Sequence, residues 1–110
     1  MTLHDGQLGK LLQQAQKLQE DMQKAQAELK NKRVEAVVDA GSVKVVANGR
    51  QEIIDIVMDP GIIHPANSKV LRELLLDAVN KALEKSRQLA NSEMSRVTGG
   101  LKIPNIPGMM

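Results

Sequence analysis

The chain contains no cysteine and no phenylalanine, tryptophan or tyrosine. Without cysteine there is no disulfide, no thiolate-held metal and no cysteine nucleophile. Without aromatic rings there is no platform on which the bases of a single strand could stack, and no cage for a methylated or quaternary cation. No apolar run approaches the ~20 residues that a membrane-spanning helix needs. The opening residues, MTLHDGQLGK, have no apolar core of the kind that marks a secretory signal. These absences make the cytoplasm the expected setting.

What is present fits one folded domain. The 110 residues are 42% hydrophobic and 25% charged, both globular values. The core has to be built from Leu, Ile, Val, Ala and Met. A domain of this size buries about 65% of its unfolded surface, so a second copy would add cover. The formal net charge is +2, and it is unevenly spread. Residues 1–33 carry six Lys/Arg against four Asp/Glu, residues 34–60 two against five, and residues 61–110 seven against four. The flanks are basic and the middle acidic, so an anionic partner is expected to meet the flanks.

The first flank predicts one long helix. Leu8, Leu11, Ala15, Leu18, Met22, Ala25 and Leu29 follow a 3-4 spacing, with Gln, Lys and Glu between them. A helix over residues 6–32 would be about 40 Å long. That exceeds what a domain with a radius of gyration near ~13 Å can cover, so part of it has to project or meet another subunit. The middle predicts three strands, VEAVV (34–38), VKVVA (43–47) and EIIDIVM (52–58). They form an antiparallel meander, with Asn48-Gly49 as a type I′ turn. Strict alternation puts Ile54, Ile56 and Met58 on one face of the third strand.

After the connector PGIIHP (60–65), Asn67 or Ser68 is expected to cap a second long helix. Its first half is broadly apolar and should lie on the sheet. From Glu84 onward the apolar stripe narrows and the helix should project, until Thr98-Gly99-Gly100 ends it. The fold expected is α+β in the order α-β-β-β-α, one domain over residues 1–100. The last ten residues, LKIPNIPGMM (101–110), carry no periodicity and are expected to be a mobile tail.

Five stretches in this order resemble the YbaB/EbfC family of small bacterial nucleoid-associated proteins. They are GKLLQQAQKLQEDMQKAQAEL (9–29), VKVVANG (43–49), IVMDP (56–60), LRELLLDAVNKALEKS (71–86) and TGGLKIP (98–104). Two details depart from the family's habit. The turn DAGS (39–42) is shorter than the usual Gly-rich one, and Met58-Asp59-Pro60 stands where Ile-Asp-Pro is common. The resemblance implies a homodimer with a central sheet shared across its two-fold axis, tweezer-like helical arms, and binding of double-stranded DNA in the nucleoid.

The residues themselves nominate two basic groups. Lys10, Lys17 and Lys24 recur every seven residues on the first helix, with Lys30, Lys32 and Arg33 at its end. Heptad spacing puts the three lysines about 10.5 Å apart on one stripe, which makes them a diffuse positive rail for phosphates, without a register match. Lys81, Lys85, Arg87, Arg96 and Lys102 form the second group. The DNA-binding set expected is Lys10, Lys17, Lys24, Lys32, Arg33, Lys85, Arg87 and Arg96. Val43, Val45, Ile54 and Ile56 are the expected dimer core, because the sheet and the dimer are expected to share one core.

Other chemistry finds little support. Asp55 and Asp59 lie four residues apart, ~13 Å along a strand, too far to share a metal or a proton. His4 and His64 stand apart from any carboxylate cluster, and Ser86, Ser92 and Ser95 have no histidine near them in sequence. Gly99-Gly100 follows a helix instead of opening one, so it is not a phosphate loop. No catalytic, metal or cofactor site, and no small-molecule substrate, is expected. The reading from another class is a structural or adaptor protein whose projecting helices pair with other proteins in coiled-coil fashion.

Overall fold

The computed structural model describes residues 5–99. His4, Lys102 and the 101–110 segment read above as a mobile tail lie outside the described residues. Helix α1 runs Asp5–Leu29, followed by strands β1 (Arg33–Val38), β2 (Val43–Asn48) and β3 (Ile53–Met58). Helix α2 runs Ser68–Thr98, after short 3-10 turns at Pro60–Ile62 and Pro65–Asn67. The sheet is antiparallel in the order β1-β2-β3. The architecture is α+β, with α2 laid over one face of the sheet.

β2 is central, so its β-branched residues are the most deeply enclosed. Val43, Val45 and Ala47 are 0% exposed. On β1 they pair with Val38, Ala36 and Val34, and this face packs under α2. The helix meets the strands with small residues: Ala78, Ala82 and Ser86, at i, i+4 and i+8, are each fully buried. Small side chains in one row let the helix axis approach the sheet closely. Leu71, Leu74, Leu75 and Val79 flank that row. Burying a valine such as Val43 contributes about 1.5–3 kcal/mol.

α2 crosses β1 and β2 and scarcely reaches β3. β3 is therefore an exposed edge strand, with Ile54, Ile56 and Val57 all at least 40% exposed. Its face pattern departs from strict alternation. The register slips between Val46 and Ala47: Val46 opposes Asp55, and Ala47 opposes Ile53. Ile54 is the extra residue of a β-bulge. Ile53, not Ile54, shares the helix-facing side with Ile56 and Met58.

The hairpin between β2 and β3 also differs from the type I′ turn expected at Asn48-Gly49. Asn48 stays in the strand and is 3% exposed. Its Oδ1 accepts from the Arg50 and Glu52 amides at 2.9 and 3.1 Å, and its Nδ2 donates to Glu52 Oε1 at 2.8 Å. The positive φ falls on Gln51, at 63°. Gly49 is needed for space instead. A Cβ there would stand 2.7 Å from both the carbonyl oxygen and Cδ2 of Leu29. That close approach lets the Gly49 amide donate to the carbonyls of Leu29, at 2.8 Å, and Lys32, at 3.1 Å. The hairpin tip thus closes the C-terminal end of α1. The β1–β2 turn uses positive φ at Asp39, Ala40 and Gly41, where Gly41 reaches 99°.

The expected cap of α2 is not made either. Asn67 precedes the helix, but its side chain makes no capping bond. Its Nδ2 instead donates to the Ile62 carbonyl at 3.3 Å, tying the two 3-10 turns together.

Candidate nucleic-acid interface

α1 runs back along the distal half of α2, antiparallel to it. Lys32 meets Glu93, and Ala25 lies beside Val97. Leu18, Met22, Ala25 and Leu29 are the covered residues of the α1 seam, and Leu89, Ala90, Met94 and Val97 are half-buried on the part of α2 that packs along α1. Past the end of α2 the seam continues uncovered: Leu8, Leu11 and Leu12 are 44–56% exposed. The expected projecting arm is therefore present. It lengthens the molecule to 76 × 30 × 18 Å and raises its radius of gyration to 21.1 Å, well above the ~13 Å of a compact domain this size.

Lys10, Lys17 and Lys24 lie on the exposed face of this arm. The Lys17 side chain is 79% exposed and only loosely paired with Asp21, at 3.9 Å. Among the described residues, Lys10 and Lys24 have no carboxylate within ion-pair distance. Lys10 and Lys17 border one shallow depression with Gln13 and Gln14. Lys24 borders the cleft between the helices, with Asp21, Glu28 and Arg96. Arg33 opens β1 and is exposed.

The other nominated cations are engaged. Arg87 pairs with Glu84 one turn before it, both about half exposed. Lys85 reaches across to β1 and donates to the Glu35 carbonyl at 2.7 Å. Lys32 and Arg96 both bind Glu93, whose side chain is only 15% exposed. The Lys32 hydrogen bond, and then that of Arg96, hold the Glu93 carboxyl below its usual range. An exposed pair such as Arg87–Glu84 is worth at most about 1 kcal/mol and yields easily to another anion. Glu93 itself is mostly covered, while the two cations that hold it stay open to solvent.

The four residues nominated for a dimer core separate. Val43 and Val45 are enclosed within this chain's own core. Ile54 and Ile56 remain 40% and 42% exposed on β3, beside Val57 on the same edge strand.

The other polar candidates have local duties. The Ser86 hydroxyl donates to the Asn48 carbonyl at 2.7 Å and accepts from the Gln51 amide at 2.9 Å. Sequence reasoning missed this role, although Ser86 continues the Ala78–Ala82 row at the same four-residue interval. Asp59 and His64 cap 3-10 turns, accepting from the Gly61 and Ala66 amides at 3.0 and 3.1 Å. Among the described residues no group of three or more His, Asp or Glu comes together around a possible metal position. No described helix is long and apolar enough to cross a membrane.

Comparison with known proteins agrees with this picture. A family model of the YbaB/EbfC DNA-binding family matches residues 5–101. A "Nucleoid-associated protein" of Ruminiclostridium cellulolyticum is 47% identical over 104 residues, covering 94% of this chain and 89% of that one. A protein of the same description from Pelotomaculum thermopropionicum is 45% identical over 101 residues, covering 92% and 96%. A crystal structure of an uncharacterized Helicobacter pylori protein aligns with a TM-score of 0.66 at 19% identity, over 82% of this chain and 91% of that one. That likeness concerns the fold alone.

Proposed function

The chain belongs to the YbaB/EbfC DNA-binding family, and from that membership we propose that it is a nucleoid-associated protein that binds double-stranded DNA as a homodimer. The observation that carries the mechanism is the lysine rail. Lys10, Lys17 and Lys24 line the exposed side of an arm that its own domain leaves uncovered. The cations are spread along helices instead of clustered on a short recognition helix, so contacts go mainly to phosphates and sequence preference is modest. Arg33, Lys85 and Arg87 extend the basic surface toward the body of the molecule. The place of action is the cytoplasm, on the nucleoid, where many such dimers would help organise the chromosome and influence expression.

Dimerisation is supported by the exposed edge strand. Ile54, Ile56 and Val57 are all exposed along β3, and an unpaired apolar edge invites a second copy. With about 4–8 phosphates neutralised per dimer, log K should fall against log salt with a slope of roughly −4 to −7. A gel-shift salt titration with random and defined duplexes tests this. A flat salt response, or tight binding of one sequence alone, would overturn it.

A second reading rests on a specific observation, the uncovered leucines at the arm tip. Leu8, Leu11 and Leu12 could seat a partner helix and make the arm an adaptor. Apolar seam packing resists salt whereas phosphate binding does not, so the same titration separates the two.

A further inference from the structure

Lys32 lies between α1 and β1, and Arg96 lies on the last turn of α2. Their charged ends converge on one carboxylate. Lys32 Nζ donates to Glu93 Oε1, while Arg96 Nε and Nη2 donate to Oε2 at 3.3 and 2.7 Å. The three side chains are unequally exposed: Glu93 keeps 15%, Lys32 38% and Arg96 66%. The cations open to solvent around an anion that is mostly covered. An ammonium and a forked guanidinium on one oxyanion is also the arrangement by which proteins hold a phosphate. Lys24, free of a carboxylate partner among the described residues, borders the same cleft as Arg96.

We propose that Lys32 and Arg96 form a phosphate site whose resident occupant, the Glu93 carboxylate, competes with the phosphates of the DNA backbone and holds the site for most of the time. This rests on the DNA-binding reading and adds an internal competitor to it. Glu93 withholds two cations per chain from the rail, and so keeps binding weaker and less salt-dependent than the count of Lys and Arg would give. The exchange is feasible because both cations already face solvent, so a phosphate can approach before the carboxylate leaves. DNA presents one negative charge per ~1.7 Å of axis, a local anion density high enough to compete with one tethered carboxylate.

The test uses the full chain and a random-sequence duplex, titrated with salt and followed by fluorescence anisotropy. Glu93→Gln should bind roughly tenfold tighter at low salt, with the slope steeper by about 0.9 for each phosphate gained, up to two per chain. Glu20→Gln, which removes the same charge from an exposed position on α1, should change affinity by less than about threefold and leave the slope alone. Adding Lys32→Gln and Arg96→Gln to Glu93→Gln should abolish the gain. Glu93→Asp keeps the charge but draws the carboxylate back by one methylene, and covers the case in which Glu93→Gln does not fold. It should steepen the slope in part. The proposal is overturned if Glu93→Gln matches Glu20→Gln, if its gain survives loss of both cations, or if folded Glu93→Asp keeps the parent slope. A parent chain that binds no duplex overturns the DNA-binding reading itself. A parent that binds while Glu93→Gln gains nothing overturns the inference alone.

Discussion

The hydroxyl of Ser86, in the middle of α2, is bonded to the carbonyl of Asn48 at 2.7 Å, across 38 residues of sequence. The same oxygen receives the Gln51 amide, so one buried side chain holds both sides of the hairpin loop against the helix. Ser86→Ala removes a donor and an acceptor together and leaves two backbone groups short of partners. The expected cost is about 1–3 kcal/mol, read as a lower urea midpoint with an unchanged slope. An unaltered midpoint would mean that water replaces the hydroxyl at no cost.

Two glycines are expected to respond to alanine in opposite directions. Gly49→Ala places a methyl against the backbone carbonyl of Leu29 and should destabilise by about 1–3 kcal/mol. Gly9 lies within α1 and has nothing within 4 Å of the position a Cβ would take. There Gly9→Ala should stabilise the arm by about 0.5–1 kcal/mol. Thermal melts of the two variants decide it: a Gly49→Ala that melts no lower than the parent would contradict the contact at Leu29, and a Gly9→Ala that melts lower would contradict the open space at Gly9.

Val45 and Ile56 face each other across β2 and β3, yet aspartate should act differently at each. Val45→Asp buries a charge in the chain's own core and is expected to prevent folding. Ile56→Asp sits on the exposed edge and is expected to leave a folded chain that no longer dimerises. Circular dichroism with light scattering checks both. A folded Ile56→Asp dimer would remove this edge from the interface.

Glu93 gives a pH dependence of definite sign. Its folded carboxyl titrates below the usual 4.5, held down first by Lys32 and then by Arg96. A lowered folded value means that the pairing stabilises the fold fully above the ordinary carboxylate range. That contribution is lost as the pH falls through the lowered value. The charged groups that act on it are Lys32, from the segment after α1, and Arg96, three residues on along α2. Stability curves of the parent and Glu93→Gln should therefore diverge near neutrality and converge in acid. Curves that stay parallel throughout would show that the carboxylate adds nothing to the joint.

Changing Lys10, Lys17 and Lys24 together to Glu should weaken binding to every duplex alike and flatten the salt slope, with the helix retained because Glu and Lys are similar helix formers. Normal binding by this variant would reduce the rail to a solvated face and move attention to Lys85, Arg87 and Arg96.

The element order and the arm were legible in the sequence because each rests on periodicity. The 3-4 spacing from Leu8 to Leu29 and the three β-branched runs are local patterns. What escaped was set by contacts between distant segments. Asn48-Gly49 reads as a type I′ turn until Leu29 is seen to crowd Gly49. Ile54 reads as sharing a face with Ile56 and Met58 until the bulge takes it out of step. Lys32 reads as a free cation until α2 brings Glu93 to it, 61 residues away, whereas the i,i+3 pairing of Arg96 with Glu93 is local and was overlooked. The placing of Lys10, Lys17 and Lys24 on the exposed side of one helix needs only that helix, so it was readable from their spacing; their part in holding DNA is the proposal above.

The junction at Gly49 has a mechanical consequence. The hairpin tip grips the end of α1 through the Leu29 and Lys32 carbonyls, and Ser86 fastens that tip to α2. A tug on the far end of the arm turns about this fulcrum, with a lever of about 35 Å given the helical rise. Any chromosome segment held there and pulled by its neighbours would load the packed seam first and the fulcrum last. The molecule would give by peeling α1 from α2 before the sheet felt any strain.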